Sequence, residues 1–442
     1  MRKLGGVSTP HHKNTATSPV EEIPTPPEVR IPMSMHIGAP AKCIVKVGDA
    51  VQVGQLIGEA AGFVSSSIYA SVSGKVKSVD ETDAVTGYRS VSVTIASDGL
   101  QTPYEKLSPP DVHDLPSFLE AVRASGAVGL GGAGFPTVAK LTVKDAGKVD
   151  YIIVNGAECE PYITSDTRTM VEDKDYVWNS LKLLKKYLKP AHIVYAIEEN
   201  KPEPIRLTRE LAANVQPGEE PLAEVKVLPS LYPQGGEKML IYNVTGRIVP
   251  EGKLPLDVGA MVINCSTLAI ISRYIINGMP LVSRCITVDG SAVKNPKNLA
   301  APIGTPVSAL FDYCGLKKEV RKIIMGGPMM GTAIPNADMP ILKNTNAVLA
   351  FAEAEALLPA ETPCINCGQC IKHCPMGLMP SNLLTAYNLK KPENLAKYKA
   401  NLCLECGCCA YSCPAKRPIT QYMKLAKAML RDYTAANANN SK

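Results

Sequence analysis

The feature that most constrains this chain is a doubled cysteine pattern near its C-terminus. Eight of the fourteen cysteines form two copies of the spacing C-x2-C-x2-C-x3-C, each followed by a proline. Three thiolates at three-residue steps can wrap one face of a [4Fe–4S] cluster, and the fourth cysteine of such a run binds the neighbouring cluster. The spacing therefore predicts two clusters that lie close enough to exchange electrons.

Because the fourth cysteine of each run binds the neighbouring cluster, each predicted ligand set combines cysteines from both runs. The first cluster takes Cys364, Cys367, Cys370 and Cys413, and the second takes Cys403, Cys406, Cys409 and Cys374. Zinc is the main alternative for paired C-x2-C units, but a zinc site needs only four ligands and does not require this repeated rhythm. Disulfides are disfavoured because nothing in the sequence indicates an oxidising compartment.

Bulk properties exclude several classes of protein. The 442 residues are enough for several domains, and 45% apolar content is ample for buried cores. The net charge of +6 is spread along the chain without basic runs interleaved with aromatics, which argues against nucleic-acid binding. The N-terminus lacks the apolar segment of a secretory signal. Polar residues interrupt the apolar stretch 261–276, so we expect a core segment there, no transmembrane segment and a soluble chain.

The N-terminal part of the chain divides into an arm and a small β domain. Residues 1–30 are rich in Pro, Ser, Thr and charge and are predicted to form an extended arm. Residues 31–100 contain short β runs punctuated by glycine, which predicts an antiparallel sandwich. This pattern resembles the barrel-sandwich hybrid fold of biotinyl and lipoyl carriers. The carrier lysine is absent from the central hairpin at residues 65–69, so we expect a docking or structural module.

The rest of the chain is predicted to be multidomain α/β. Strands alternate with helices over the first of the remaining segments, which indicates a parallel sheet covered on both faces. The predicted segments are a parallel-sheet α/β domain over 101–278, a module of short strands over 279–346, a helical two-cluster, ferredoxin-like domain over 347–434 and a disordered tail over 435–442.

A second set of motifs lies in the α/β segment. The run 129–137 reads G-L-G-G-A-G-F-P-T, in which small residues let backbone N–H groups approach an anion. The sequence N-G-A-E-C-E-P at 155–161 follows a predicted buried strand, and the carboxyl ends of such strands are where α/β sheets bind ligands. Two further motifs are Y-P-Q-G-G-E at 232–237 and N-C-S-T at 264–267. Taken singly, the glycine run fits a packed turn and the carboxylates fit a solvated surface.

Together these motifs resemble the flavin- and NADH-binding subunit of respiratory complex I. The resemblance implies that FMN is held by Gly129, Gly131, Gly132, Ala133, Gly134, Lys140, Asn155, Asn264 and Thr267. It implies that NADH meets Phe135, Glu160 and Glu237, and it adds Glu158, Tyr232 and Gly235 to the cofactor-binding residues. The chain departs from that family at two positions, where Leu130 replaces an arginine and Ala157 replaces an aspartate.

Chemistry gives an independent reason to expect a flavin. NADH exchanges two electrons as a hydride and an iron–sulfur cluster exchanges one, and a flavin can do both. A chain that carries clusters and a nicotinamide site is therefore expected to bind FMN, with NAD(H) as its substrate.

The order of the modules along the chain resembles the RnfC family, with a β-grasp module between the flavin and cluster domains. That resemblance implies the peripheral NADH-facing subunit of an ion-translocating ferredoxin:NAD⁺ oxidoreductase. It would lie on the cytoplasmic face of the cell membrane, with RnfA, RnfB, RnfD, RnfE and RnfG as partners and ferredoxin as an indirect one. Two alternatives stay open: a soluble cobalamin reductase with related flavin and cluster modules, and an electron-transfer scaffold without nicotinamide turnover.

Overall fold

The computed structural model describes residues 4–440 except for 84, 86, 88, 144–147 and 216–219. The first three residues of the predicted arm and the last two of the predicted tail lie outside the described residues. Strands in the described part of the chain form four sheets. No helix in these ranges is both long and apolar enough to cross a membrane.

The predicted arm enters two different sheets. Its first strand, β1 (Val20–Glu22), pairs with a strand near residue 300, and its second, β2 (Glu28–Pro32), opens the N-terminal β domain. The arm is therefore not a free extension: it is anchored at both strands. Strand propensity over three to five residues is too weak to reveal such pairing, because the partner strands supply the hydrogen bonds.

Two antiparallel sheets build the N-terminal domain, as the sequence predicts. Its further strands are β3 (Lys42–Cys43), β4 (Ala50–Val51), β5 (Leu56–Glu59), β6 (Ile68–Tyr69), β7 (Gly74–Asp83) and β8 (Arg89–Ser97). One sheet has the order β2-β8-β7-β4 and the other β3-β5-β6. Alternating residues such as Val29 and Ile31 on β2, and Val93 and Ile95 on β8, are fully buried between the sheets.

The α/β domain contains the predicted parallel sheet. Its strands are β9 (Tyr151–Gly156), β10 (His192–Glu198), β11 (Glu224–Leu228) and β12 (Ala260–Asn264). Its helices are α1 (Leu115–Ala124), α2 (Thr137–Leu141), α3 (Ser165–Glu172), α4 (Lys174–Leu188), α5 (Pro202–Ala213), α6 (Glu237–Thr245) and α7 (Cys265–Asn277). The order β11-β10-β9-β12 is parallel throughout, so all carboxyl ends meet at one edge.

A mixed six-stranded sheet follows. It contains β13 (Ser283–Asp289), β14 (Lys297–Pro302), β15 (Lys322–Met325), β16 (Thr332–Ile334) and β17 (Ala347–Phe351), with α8 (Val307–Cys314) packed on it. The order is β1-β14-β13-β17-β15-β16. The predicted boundary at 346/347 is wrong, because β17 lies inside this sheet between β13 and β15. A short run of buried apolar residues does not by itself distinguish a strand from a helix.

The C-terminal domain is helical, as predicted. Its helices are α9 (Glu353–Ala356), α10 (Gln369–Lys372), α11 (Pro380–Asn388), α12 (Pro392–Lys397), α13 (Cys408–Tyr411) and α14 (Ile419–Asn440). The prediction of a disordered tail is wrong for residues 435–440, because α14 continues through residue 440. Ala435 and Ala436 lie in this extension, and alanine has the highest helix propensity.

Candidate functional site

The glycine loop is closed at its base and open at its tip. Gly129 N–H donates to Phe135 O at 2.8 Å, and Gly134 N–H donates to Gly129 O at 2.9 Å. The N–H groups of Gly131, Gly132 and Ala133 have no partner among the described residues. Gly132 has φ +111°, a conformation that favours glycine. The loop therefore presents three consecutive free donors, as an anion-binding nest does.

Two asparagines stand side by side at the carboxyl edge of the parallel sheet. Asn155 on β9 and Asn264 on β12 are register partners. The Asn155 side chain donates to Gly235 O at 2.9 Å and accepts from Ala157 N–H at 3.1 Å. The Asn264 side chain caps α7 by accepting from Thr267 N–H at 3.2 Å. This edge is where open α/β sheets bind ligands.

The loop and this edge are joined directly. Leu130 N–H donates to Thr267 Oγ1 at 3.0 Å, and a side chain at Gly131 would come within 3.0 Å of Asn264 Nδ2. The Leu130 side chain is fully buried in the core of the N-terminal domain. The position where the complex I family has an arginine is therefore used here for packing between domains.

A lysine and a glutamate complete the predicted group. Lys140 on α2 places Nζ 2.7 Å from Glu237 Oε1, at the first residue of α6, and 3.0 Å from Val262 O. Both side chains of this ion pair are partly exposed. The structure thus gathers the glycine loop, Lys140, Asn155, Gly235, Glu237, Asn264 and Thr267 in one region.

Orphaned polar atoms in this region fit a bound polar ligand such as FMN. Thr137 Oγ1, which directly follows the glycine loop, and Gln234 Nε2 are buried and have no hydrogen-bond partner in the described part of the chain. Buried polar groups are nearly always paired in proteins. Together with three free N–H groups and the Lys140 ammonium, they form a donor-rich set suited to a phosphate and a polar ring.

Glu158 is hydrogen-bonded to the first turn of α3. Its carboxylate is buried and accepts hydrogen bonds from Asp166 N–H and Thr167 Oγ1, both at 2.7 Å. Burial raises the pKa of Glu158. Lys13 of the arm lies 3.9 Å from the carboxylate and donates to the carbonyls of Glu158 and Glu160. The predicted role of Glu158 in cofactor binding stays a prediction.

Glu160 is held by a loop of the mixed sheet. Its carboxylate accepts from Met329 N–H at 3.0 Å and Met330 N–H at 2.9 Å. Burial raises the pKa of Glu160 to about 7, although these hydrogen bonds oppose the shift. A side chain at Gly327 would clash with this carboxylate at 2.2 Å, so the loop fits closely over it.

Tyr232 reaches the cluster domain. The ring is buried, and the hydroxyl donates to Cys406 O at 2.7 Å. Cys408 Sγ donates to the backbone carbonyl of Tyr232 at 3.8 Å. The motif that contains Gly235 and Glu237 is thereby attached to the loop of the second cysteine run.

The two predicted sets of cluster ligands differ in exposure. Cys374, Cys403, Cys406 and Cys409 line one cavity, whereas Cys364 and Cys367 are exposed. Thr362 N–H donates to Ala415 O at 3.0 Å, which ties the start of the first run to the end of the second. Within the described ranges no three side chains converge as ligands of a single metal ion would. Thiolates of a [4Fe–4S] cluster each bind a different iron and stand further apart.

Asp166 is a site residue that the sequence did not reveal. Its carboxylate is buried and accepts from Asn264 Nδ2 at 2.7 Å and from Ser266 Oγ at 2.6 Å. It therefore fixes the orientation of the Asn264 amide. Asp166 lies on α3, outside every motif, and no spacing in the sequence signals its role.

Each of the four modules of the chain matches a known domain family. Residues 1–100 match the RnfC barrel sandwich hybrid domain and residues 122–273 match the Nuo51 FMN-binding domain. Residues 285–333 match the SLBB domain and residues 363–416 match a 4Fe–4S dicluster domain, which includes all eight cysteines. These matches fit a multidomain α/β architecture with a ferredoxin-like C-terminus.

Similar proteins extend over nearly the whole chain. The C component of the proton-translocating ferredoxin:NAD⁺ oxidoreductase complex of Clostridium ljungdahlii is 41% identical, with 96% of this chain and 93% of that protein covered. The C component of the Na⁺-translocating complex of Acetobacterium woodii is also 41% identical, with 86% of each covered. An NAD⁺-reducing [NiFe]-hydrogenase structure shares the fold, with a TM-score of 0.51 and 17% identity over 72% of this chain and 63% of that one. The chain therefore belongs to the RnfC family, the C components of ion-translocating ferredoxin:NAD⁺ oxidoreductase complexes.

Proposed function

We propose that this chain moves electrons between two [4Fe–4S] clusters, FMN and NAD⁺ as the NADH-facing subunit of a membrane-bound ferredoxin:NAD⁺ oxidoreductase. The observation that carries the proposal is the 2.7 Å hydrogen bond between Tyr232 and Cys406, which joins the segment of the flavin site to the loop of the second cysteine run. The segment proposed to bind the two-electron cofactor and the loop proposed to bind a one-electron cluster are thus in direct contact.

The glycine loop, Lys140, Asn155, Asn264 and Thr267 are proposed to hold FMN. When bound, FMN supplies the exchange between hydride and single-electron transfer. The free N–H groups of Gly131, Gly132 and Ala133 would bind its phosphate, and Asp166 would hold the Asn264 amide in place. Residues of the chain position the cofactor, and no acid–base pair is required.

Phe135 and Glu237 are proposed to face NADH. Glu160 is proposed to join them, since each of its carboxylate oxygens accepts one N–H, from Met329 or Met330, and keeps further acceptor sites. The loop that carries Met329 would therefore lie beside the bound dinucleotide.

The difference in exposure suggests an order for the two clusters. The set of Cys403, Cys406, Cys409 and Cys374 lies against Tyr232, so it is proposed as the cluster next to the flavin site. The set of Cys364, Cys367, Cys370 and Cys413 includes the exposed cysteines and is proposed as the cluster that meets the partner. Electrons from ferredoxin would arrive through a partner protein at the exposed set and leave as hydride on NAD⁺.

The assembly is proposed to be the Rnf complex, with RnfA, RnfB, RnfD, RnfE and RnfG as partners. The chain would sit on the cytoplasmic face of the cell membrane, where NADH is available. The mixed sheet with α8 on one face is proposed to be a β-grasp domain, in keeping with the SLBB match over residues 285–333.

NADH-dependent reduction of ferricyanide by the purified, reconstituted chain tests the proposal. We expect turnover that requires bound FMN and survives loss of either cluster, because ferricyanide takes electrons from the flavin. A chain that binds FMN without oxidising NADH would be a scaffold instead. Co-purification with integral membrane proteins would separate the Rnf assignment from a soluble cobalamin reductase.

A further inference from the structure

Three carbonyl groups of the glycine loop are held from outside the α/β domain. Leu130 O accepts from Arg284 Nη2 at 3.2 Å, and Gly132 O accepts from Asn344 Nδ2 at 2.9 Å. Gly134 O accepts from Ile37 N–H at 2.9 Å. Arg284 and Asn344 belong to the mixed-sheet domain, and Ile37 belongs to the N-terminal domain. Residues of two other domains therefore donate hydrogen bonds to alternate carbonyls of the loop.

Asn344 sits in a turn whose shape is fixed. Thr345 N–H donates to Leu342 O at 3.1 Å, and Leu342 N–H donates to Thr345 Oγ1 at 2.9 Å. Arg284 Nε also donates to Thr345 O at 3.3 Å, so one guanidinium holds both the turn and the glycine loop. The Asn344 amide is therefore pre-positioned for Gly132 O.

Lys343 anchors this turn to the N-terminal domain. Its side chain is fully buried, and Nζ donates to Ser66 Oγ at 3.1 Å, to Ser67 O and to Gly126 O at 2.8 Å. The hairpin that contains Ser66 resembles the hairpin that bears the modified lysine in biotinyl and lipoyl carriers. Here the same hairpin receives a lysine from another domain.

His36 connects the hairpin that contains Ser66 to the segment that contains Ile37. Its Nε2 accepts from Ser66 N–H at 3.1 Å, so the hairpin also fixes the segment that contains Ile37. Both Lys343 and His36 are therefore hydrogen-bonded to Ser66. Lys343 bonds to the Ser66 hydroxyl, and His36 bonds to the Ser66 backbone N–H. Lys343 directly precedes Asn344, whose side-chain amide donates to Gly132 O. His36 directly precedes Ile37, whose backbone N–H donates to Gly134 O.

We propose that the turn 342–345 and the Ile37 N–H hold the glycine loop in its phosphate-binding conformation, so that the N-terminal and mixed-sheet domains set the affinity of the α/β domain for FMN. This inference rests on the proposed function. Fixing the carbonyls of Leu130, Gly132 and Gly134 outward leaves the N–H groups of Gly131, Gly132 and Ala133 free for the phosphate. Asn344 is proposed as a positioning residue, since its amide donates to the backbone of the loop.

Titration of the flavin-free full chain with FMN and with riboflavin tests this role. Asn344→Leu is expected to raise the Kd for FMN roughly tenfold, at the upper end of the net contribution of one hydrogen bond. The Kd for riboflavin, which lacks the phosphate, is expected to stay unchanged. Asn295→Leu is the matched control, because Asn295 is exposed in the same domain and makes no side-chain hydrogen bond within the described residues.

A second variant keeps the test decisive if the leucine disturbs folding. Asn344→Asp preserves shape but removes the donor and adds a negative charge beside the loop, so it is expected to weaken FMN at least as much as Asn344→Leu while sparing riboflavin. Equal losses for both flavins, or no loss for either, would overturn the inference. Failure of the unaltered chain to bind FMN would instead defeat the proposed function.

Discussion

The hydroxyl of Tyr232 donates a 2.7 Å hydrogen bond to the backbone carbonyl of Cys406. Val7 of the arm pairs with the backbone of Tyr232 in both directions, at 2.9 and 3.1 Å, and a side chain at Gly407 would lie 3.0 Å from Met329 O. Elements from four parts of the chain therefore converge between the proposed flavin site and the second cysteine run. This junction is where electrons are proposed to cross.

Tyr232→Phe should slow transfer across this junction without impairing NADH oxidation. The ring is retained, but the buried Cys406 carbonyl loses its donor, which costs about 1–3 kcal/mol. Stopped-flow absorbance should show flavin reduction at the original rate and slower bleaching of the clusters. Tyr104→Phe serves as control, since its hydroxyl makes no hydrogen bond within the described ranges. Unchanged cluster bleaching in Tyr232→Phe would place the crossing elsewhere.

Replacing the fourth cysteine of each run should separate the two clusters. Cys374→Ser is expected to remove the buried cluster and Cys413→Ser the exposed one, each with loss of about four irons. After Cys374→Ser, NADH should no longer reduce the remaining cluster, because the member next to Tyr232 is missing. After Cys413→Ser, NADH should still reduce it. Electron paramagnetic resonance of the NADH-treated chains reads out both cases, and the reverse pattern would invert the proposed order.

Lys140→Met should weaken FMN binding much more than it weakens folding. Its ion pair with Glu237 is partly exposed, so its contribution to stability is about 0–1 kcal/mol. A hydrogen bond to a charged group contributes about 1.5–3 kcal/mol, so the Kd for FMN should rise on the order of tenfold or more. Lys182→Met on the exposed face of α4 is the control. A lowered urea midpoint with an unaltered Kd would mean that Lys140 is structural.

Lys343 should make stability rise with pH between 7 and 10.5. Burial lowers the pKa of Lys343 to about 7, whereas the unfolded chain keeps the ordinary value of 10.5. In that window the unfolded state binds the proton that the folded state has released, so the free energy of unfolding increases with pH. The difference between the unaltered chain and Lys343→Met should grow by about 2 kcal/mol from pH 7 to pH 9.

Urea unfolding followed by the fluorescence of Trp178, the one tryptophan in the sequence, measures this difference. Trp178 is buried in the α/β domain that Lys343 contacts through Gly126. A difference that stays constant over these two pH units would show that Lys343 keeps its proton in the folded chain.

Periodic segments were predictable from the sequence. The alternation of strands and helices predicted for the segment 101–278 is present, for example, as β9, α4 and β10. These elements bury a regular stripe or face, which leaves a pattern in the residue order. Placement of Asn155 at the carboxyl edge of the sheet followed from the same reasoning.

Contacts between distant segments were not predictable. Lys343 is buried and donates to three acceptors from two other segments, although lysine lies mostly at protein surfaces. Asn344 meets Gly132 across 212 positions, and no periodicity links two loop residues. Tyr232 was assigned to the cofactor site by resemblance, whereas its hydroxyl is bonded to Cys406. Such pairings depend on how the domains pack, which a single sequence does not encode locally.

Anaerobic stopped-flow mixing of the FMN-containing chain with NADH shows whether electrons pass from the flavin to the clusters within one chain. We expect that flavin absorbance bleaches first and cluster absorbance follows, with both phases present in a sample that contains one FMN and about eight irons per chain. Clusters that stay oxidised while the flavin is fully reduced and reoxidised by ferricyanide would contradict it.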